Sequence, residues 1–169
     1  MQKIYTSLGL MSGTSGDGVD ASIINSNGID QFEVIKDKFF EYDSHIYKNF
    51  HSLKDKILNI NDLTKLSKDL MNLERKITLF HAKIIKEINN SEDTIIGFHG
   101  QTIYHNSEEK ISKQLGDGRL LHQLTQKKVI FNFRKNDLQN GGEGAPLASI
   151  FHQLISSQKK IKLPVCFLN

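Results

Sequence analysis

The chain has no tryptophan, a single cysteine and two prolines, and no apolar run of membrane-spanning length. One thiol excludes a disulfide framework within the chain. Cys166 lies in the apolar run Val165-Cys166-Phe167-Leu168 and is expected to be a buried structural thiol. Without a stretch of roughly 20 apolar residues, no membrane span is expected. The N-terminus lacks a long apolar segment followed by a small-residue cleavage site, so no secretory leader is expected. A dominant charge is also missing, since 22 basic side chains face 19 acidic ones and no basic run reaches five. Nucleic acid is therefore not an expected partner. Lys127-Lys128 and Lys159-Lys160 read as solvated ends of elements. These absences predict one domain over residues 1–169, large enough for a real core and working in a reducing cytoplasm.

Glycine is concentrated instead where chemistry is expected. Gly9 to Ala21 reads Gly-Leu-Met-Ser-Gly-Thr-Ser-Gly-Asp-Gly-Val-Asp-Ala. Glycine permits positive φ and close approach, and successive N–H groups of such a turn can converge on phosphate oxygens, with Thr14 and Ser15 adding donors. Asp17 and Asp20 repel phosphate unless Mg2+ or its waters bridge them, because hard cations take oxygen ligands. The segment Gly13, Thr14, Ser15, Gly16, Asp17, Gly18, Val19, Asp20 therefore reads as a nucleotide phosphate loop. Gly16-Asp17-Gly18-Val19-Asp20-Ala21 also matches the dinucleotide pattern GxGxxG/A, which needs a helix next. The run from Val19 to Ile24 is instead rich in β-branched residues and closes on Asn25-Ser26-Asn27-Gly28, so a strand–turn–strand hairpin is favoured. The pattern GxxxxGK[ST] is absent, and a plain hairpin turn that binds nothing is the remaining alternative.

Ile4 to Met11, Val19 to Asn25 and Phe32 to Tyr42 read as antiparallel strands. Ser44 to Ile60 reads as a short helix. Leu63, Leu66, Leu70, Leu73, Ile77, Phe80, Ile84 and Ile88 then recur at 3- and 4-residue spacing, which predicts a long helix near 62–89 with Asn61 or Asp62 as cap. A coiled coil would show a similar stripe, but flanking strands favour a helix lying on a sheet. Thr94 to Phe98 reads as a strand delivering His99-Gly100-Gln101-Thr102 into a polar loop. Gly116-Asp117-Gly118-Arg119 opens a helix to about Gln126, and Val129 to Phe131 is a strand. Pro146 fits the first turn of a helix that carries Phe151 and Leu154 inward, and Leu163 to Leu168 reads as a final strand. The expected class is α/β with a mixed sheet.

Polar loops at strand ends are where open α/β sheets place ligands. Asp137 is a candidate general base, with a turn or cap aspartate as the alternative. Arg134 is a candidate anion clamp, with an ion pair as the alternative. His99 and Gln101 are candidate substrate contacts. No histidine pair has zinc-helix spacing. His45, His51 and His81 read as surface or partly buried helix residues. Ser15, His99 and Asp137 could form a hydrolase triad on paper, but no Gly-x-Ser-x-Gly elbow supports it.

Met11-Ser12-Gly13-Thr14-Ser15, Asp17-Gly18-Val19-Asp20, Gly97-Phe98-His99-Gly100-Gln101-Thr102 with His105, Gly116-Asp117-Gly118, Phe133-Arg134 with Asp137, Gly141-Gly142, Gly144-Ala145-Pro146-Leu147 and Phe151-His152-Gln153 occur in this order. The set resembles the anhydro-N-acetylmuramic acid kinases across essentially the whole chain. The resemblance implies an actin-like, sugar-kinase ATPase fold (ribonuclease H-like) whose first phosphate loop is a β-hairpin. It implies a reaction using ATP, Mg2+ and water that opens the 1,6-anhydro ring and phosphorylates O6, in recycling of cell-wall sugars. It also implies that Asp137 activates the water. Two positions depart from the family. Gly16 stands where a larger apolar residue is usual, an exchange expected to loosen the loop, and Asn132 stands where Asp is common. Family members are roughly twice as long, so the second phosphate loop and the adenosine-binding half are expected beyond Asn169, on a complementing C-terminal half. In the other expectation the chain is a truncated or split-gene product without activity of its own.

Overall fold

In the computed structural model, residues 3–88, 91 and 93–167 are described. Three antiparallel strands open the chain: β1 (Tyr5–Ser12), β2 (Gly18–Ser26) and β3 (Phe32–Glu41). Three helices come next: α1 (Ser44–Lys54), α2 (Ile60–Lys65) and α3 (Ser67–Ile88). Then come β4 (Ile95–Asn106), β5 (Ile111–Leu115), α4 (Gly118–Thr125), β6 (Val129–Phe131), α5 (Phe133–Gln139) and α6 (Ser149–Gln158). The sheet order is β3-β2-β1-β4-β5, with β6 also pairing β4. β1 and β6 run parallel to β4, and the other pairs are antiparallel. This is the expected α/β class with a mixed sheet.

Strand alternation places Leu8 and Leu10 of β1, Val19, Ala21 and Ile23 of β2, and Ile96 and Phe98 of β4 in the core. α1 and α3 pack on it, α1 through Ile46, Phe50 and Leu53, α3 through a stripe that includes Leu70, Leu73, Ile77, Ile84 and Ile88. Complete burial of Phe50 stabilises by about 1.5–3 kcal/mol. Asp43 caps α1 by accepting from the His45 and Ile46 amides, and Asp117 caps α4 in the same way. No helix among the described residues is long and apolar enough to cross a membrane.

Several elements differ from expectation. The long helix begins at Ser67, because residues 60–65 form the separate α2, capped reciprocally by Asn59 and Asp62 rather than started by Asn61; residue 89 lies outside the described residues. α1 ends at Lys54, short of Ile60. His99 to Thr102 lie within β4, which continues to Asn106 because β5 pairs with it across residues 107–110. β5 is hidden in the sequence because Leu115 is its one buried residue. Asn132 adopts φ 64° and turns the chain straight into α5, so Asp137 is helical, not in a loop. α6 starts at Ser149, three residues after Pro146, and Phe151 is half-exposed against the Phe32 ring, at 5.1 Å between centroids. Residues 161–167 form no strand, since no neighbouring strand pairs with them, and Cys166 is exposed rather than buried. Leu168 lies outside the described residues.

Candidate active site

β1, β4 and β6 are parallel neighbours, and the registers Leu10↔Phe98 and Phe98↔Phe131 bring Met11, His99 and Asn132 near one another where β1 and β6 end, while β4 continues past them to Asn106. Two groups of functional residues are set by these strand ends.

The first is the turn between β1 and β2. Gly16 donates its N–H to the Gly13 carbonyl at 3.2 Å and has φ 68°. Three long-range contacts hold the turn: Gln101 Nε2 donates to the Gly13 carbonyl at 2.7 Å, Lys54 Nζ to the Thr14 carbonyl at 2.7 Å, and the Tyr42 N–H to the Asp17 carbonyl at 2.9 Å. Thr14, Ser15 and Asp17 face solvent, with the Ser15 hydroxyl donating to Asp17 Oδ1 at 2.8 Å. Exposed hydroxyls, glycine amides and a carboxylate are the donor set that a nucleotide phosphate with a hard cation would meet. No three His, Cys, Asp or Glu residues among those described cluster to hold a metal unaided. An ion here would draw further ligands from phosphate and water. Gly18, Val19 and Asp20 belong to β2, and the Val19 side chain is in the core. The turn proper is therefore 13–17.

At Gly16 the structure shows filled space rather than a gap. A Cβ at position 16 would overlap the Phe50 ring. The space a larger residue would fill is taken by Phe50 from α1.

The second group lines an open cleft of about 1230 Å3 with Met11, His99, Arg134, Asp137 and Pro146 among its walls. Arg134 Nε donates to His99 Nε2 at 2.9 Å, and its Nη1 donates to the Gly144 carbonyl at 2.6 Å. His99 Nδ1 donates to the Gly100 carbonyl at 2.7 Å, so the ring is neutral with its proton on Nδ1. Burial, and secondarily the Arg134 charge, lowers the His99 pKa. Asp137 Oδ2 accepts from the Gly144 N–H at 2.8 Å, and the Asp137 carbonyl accepts from the Gly142 N–H at 2.9 Å. A Cβ at Gly142 would overlap the Asp137 carboxylate, so glycine is needed for this wrap.

His99, Arg134 and Asp137 thus come together. Arg134 is held by His99 and a carbonyl, and forms none of the ion pairs found among the described residues. Gln101, expected to contact substrate, is fully buried and donates to the turn. The Ser15–His99–Asp137 triad does not form, because Ser15 bonds Asp17 and His99 bonds Arg134. Sequence reasoning missed Lys54, Phe50 and Tyr42, which have no local motif and reach the turn only through the path of the chain.

A family model described as anhydro-N-acetylmuramic acid kinase matches residues 5–168. Curated relatives carry the same name. The protein from Pelagibacter ubique (strain HTCC1062) is 62% identical over 172 residues, covering 100% of this chain and 46% of its own. That from Agrobacterium fabrum is 33% identical, covering 100% and 48%, and that from Gluconobacter oxydans is 37% identical, covering 96% and 45%. The chain spans about half the length of the curated relatives it matches.

Proposed function

The chain belongs to the anhydro-N-acetylmuramic acid kinase family, and from that premise we propose that it forms the phosphate-turn and water-activating half of an ATP-dependent kinase of anhydro-N-acetylmuramic acid. The observation that carries this reading is the placement of His99, Arg134 and Asp137 in one cleft that is also lined by Met11, near the end of the strand that leads into the Gly13–Asp17 turn. On this reading residues 1–169 are the N-terminal domain of an actin-like, sugar-kinase ATPase fold (ribonuclease H-like), acting in cytoplasmic recycling of cell-wall sugars. The mixed sheet with an antiparallel β1–β2 hairpin supports it.

In this mechanism the turn amides and Thr14 would receive the terminal phosphate of ATP, and Asp17 would hold Mg2+, directly or by way of its waters. When bound, the ion would supply neutralisation of phosphate charge. Asp137, oriented by the Gly144 amide, takes a proton from water as the water oxygen bonds to the anomeric carbon. The bond from that carbon to the bridging oxygen breaks, and the freed O6 accepts the phosphoryl group, giving N-acetylmuramic acid 6-phosphate and ADP. Arg134, with two of its donors fixed by His99 and Gly144, presents the rest of its guanidinium to an anionic group such as the substrate carboxylate. Phosphoryl transfer depends on positioning and charge stabilisation, so one wall of the cleft is insufficient.

In the second reading the chain, which spans 46% of the Pelagibacter relative, is a truncated or split-gene fragment without activity of its own or in need of a complementing half. Both are tested by ATP-dependent product formation from the purified chain, alone and mixed with the C-terminal half of that relative. Little or no turnover alone and clear turnover in the mixture is expected. Robust turnover alone would remove the need for a second half, and none in the mixture would overturn the kinase reading.

A further inference from the structure

Beneath the turn runs a polar chain that the chemistry above does not use. Ser12, Tyr42 and His81 are 1%, 4% and 0% exposed, among a largely apolar core. His81 Nδ1 donates to the Ile77 carbonyl at 2.8 Å, leaving Nε2 as an acceptor 3.4 Å from Ser12 Oγ. Ser12 Oγ lies 3.1 Å from the Tyr42 hydroxyl. With one proton on each hydroxyl, one direction satisfies all three groups: Tyr42 donates to Ser12, Ser12 to His81, and His81 to the helix carbonyl. Burial holds the His81 pKa down at about 4, which preserves the acceptor at neutral pH.

Two members of this chain border the turn. Ser12 is the residue before Gly13, and the Tyr42 N–H holds the Asp17 carbonyl at 2.9 Å. A buried polar group costs free energy unless it is hydrogen-bonded, so the three groups are tied to one another. Apart from Thr78, the other buried residues of α3 are apolar.

We propose that His81 is a positioning residue of the phosphate turn, acting through Ser12 and Tyr42 to fix Gly13–Asp17 in its phosphate-receiving shape. This rests on the reading of that turn as the nucleotide site. The device is one hydrogen-bond chain anchored in α3, with no contact between His81 and the ligand.

The test compares His81→Phe, which keeps a ring and loses the acceptor, with His81→Gln, which keeps an acceptor. In amide exchange of this chain by NMR, the Gly16 and Tyr42 amides should exchange about tenfold faster in His81→Phe, the effect of one lost hydrogen bond. Amides of α4 should be unchanged, and His81→Gln should recover most of the protection. In the chain combined with the Pelagibacter C-terminal half, His81→Phe should raise KM for ATP about tenfold, with KM for the sugar unchanged. If His81→Phe does not fold, Ser12→Ala breaks the same link and carries both measurements. Unchanged Gly16 and Tyr42 exchange, or an unchanged KM for ATP, overturns the proposal. Absence of turnover in the unmutated combination overturns the kinase reading instead, and the exchange measurement still decides the role of His81.

Discussion

Arg134 Nε donates to His99 Nε2 at 2.9 Å, joining α5 to β4 across the floor of the cleft. The bond requires a neutral imidazole, because a protonated Nε2 has no lone pair to offer. Burial is the larger cause of the lowered His99 pKa and the Arg134 charge adds to it. Arg134→Leu should therefore raise the His99 pKa, while burial keeps it below the ordinary value. An NMR titration of the ring resonances reads this directly, and an unchanged pKa would mean that the pair is not formed in solution.

Asp137→Asn in the completed protein should lower kcat by about 10²–10⁴-fold, the usual contribution of a positioned base. The amide keeps an acceptor for the Gly144 N–H and loses basicity. ATP affinity should stay close to wild type. Asp17→Asn should show the reverse pattern, weakening Mg-nucleotide binding more than the chemical step. Steady-state kinetics with ATP-binding titrations separate the two, and near wild-type kcat in Asp137→Asn would return this residue to a purely structural role.

Gly16→Leu should destabilise the fold by about 2–4 kcal/mol, combining strain at φ 68° with overlap on Phe50. Phe50→Ala alone should also destabilise, by opening a cavity. The double variant should be more stable than the sum of the two losses, since each change relieves the other. Urea unfolding of the four proteins gives the coupling, and strict additivity would show that the ring and the glycine are independent.

Stability should fall as pH drops below about 6.5, where unfolded histidine begins to charge. His81 stays neutral in the fold until about pH 4. Its folded pKa is depressed, so its contribution is fully present above the unfolded pKa and is lost across that window. The loss is on the order of 3 kcal/mol for this one group. His99, also lowered, adds in the same direction. Thermal melts at pH 7.5 and 4.5 should show a smaller drop in His81→Phe than in the unmutated chain.

The β1–β2 hairpin, the α3 stripe and the start of α4 at Gly116–Arg119 are legible in sequence because each rests on a few adjacent residues. β-branched alternation, 3.6-residue spacing and a capping carboxylate all act within a turn or two. His99, Arg134 and Asp137 are legible as candidates for the same reason, since each stands near glycines at a strand end. Cys166 and the run around it have the pattern of a buried strand and do not form one, because an apolar run becomes a strand only where another strand pairs with it. α5 is hidden because Asn132 turns the chain by a single left-handed residue, which no periodicity announces.

Sequence alone determined the α/β class, a glycine-rich turn within residues 13–20 and the resemblance to a kinase family. The tertiary structure decided which side chains hold that turn. Gln101 reaches Gly13 across 88 residues, His81 reaches Ser12 across 69 and Lys54 reaches Thr14 across 40. Turn chemistry is local, because backbone conformation is set by neighbouring residues. A hydrogen bond between distant residues exists only once the sheet register and the helix packing bring donor and acceptor within about 3 Å, and that distance is a property of the whole fold.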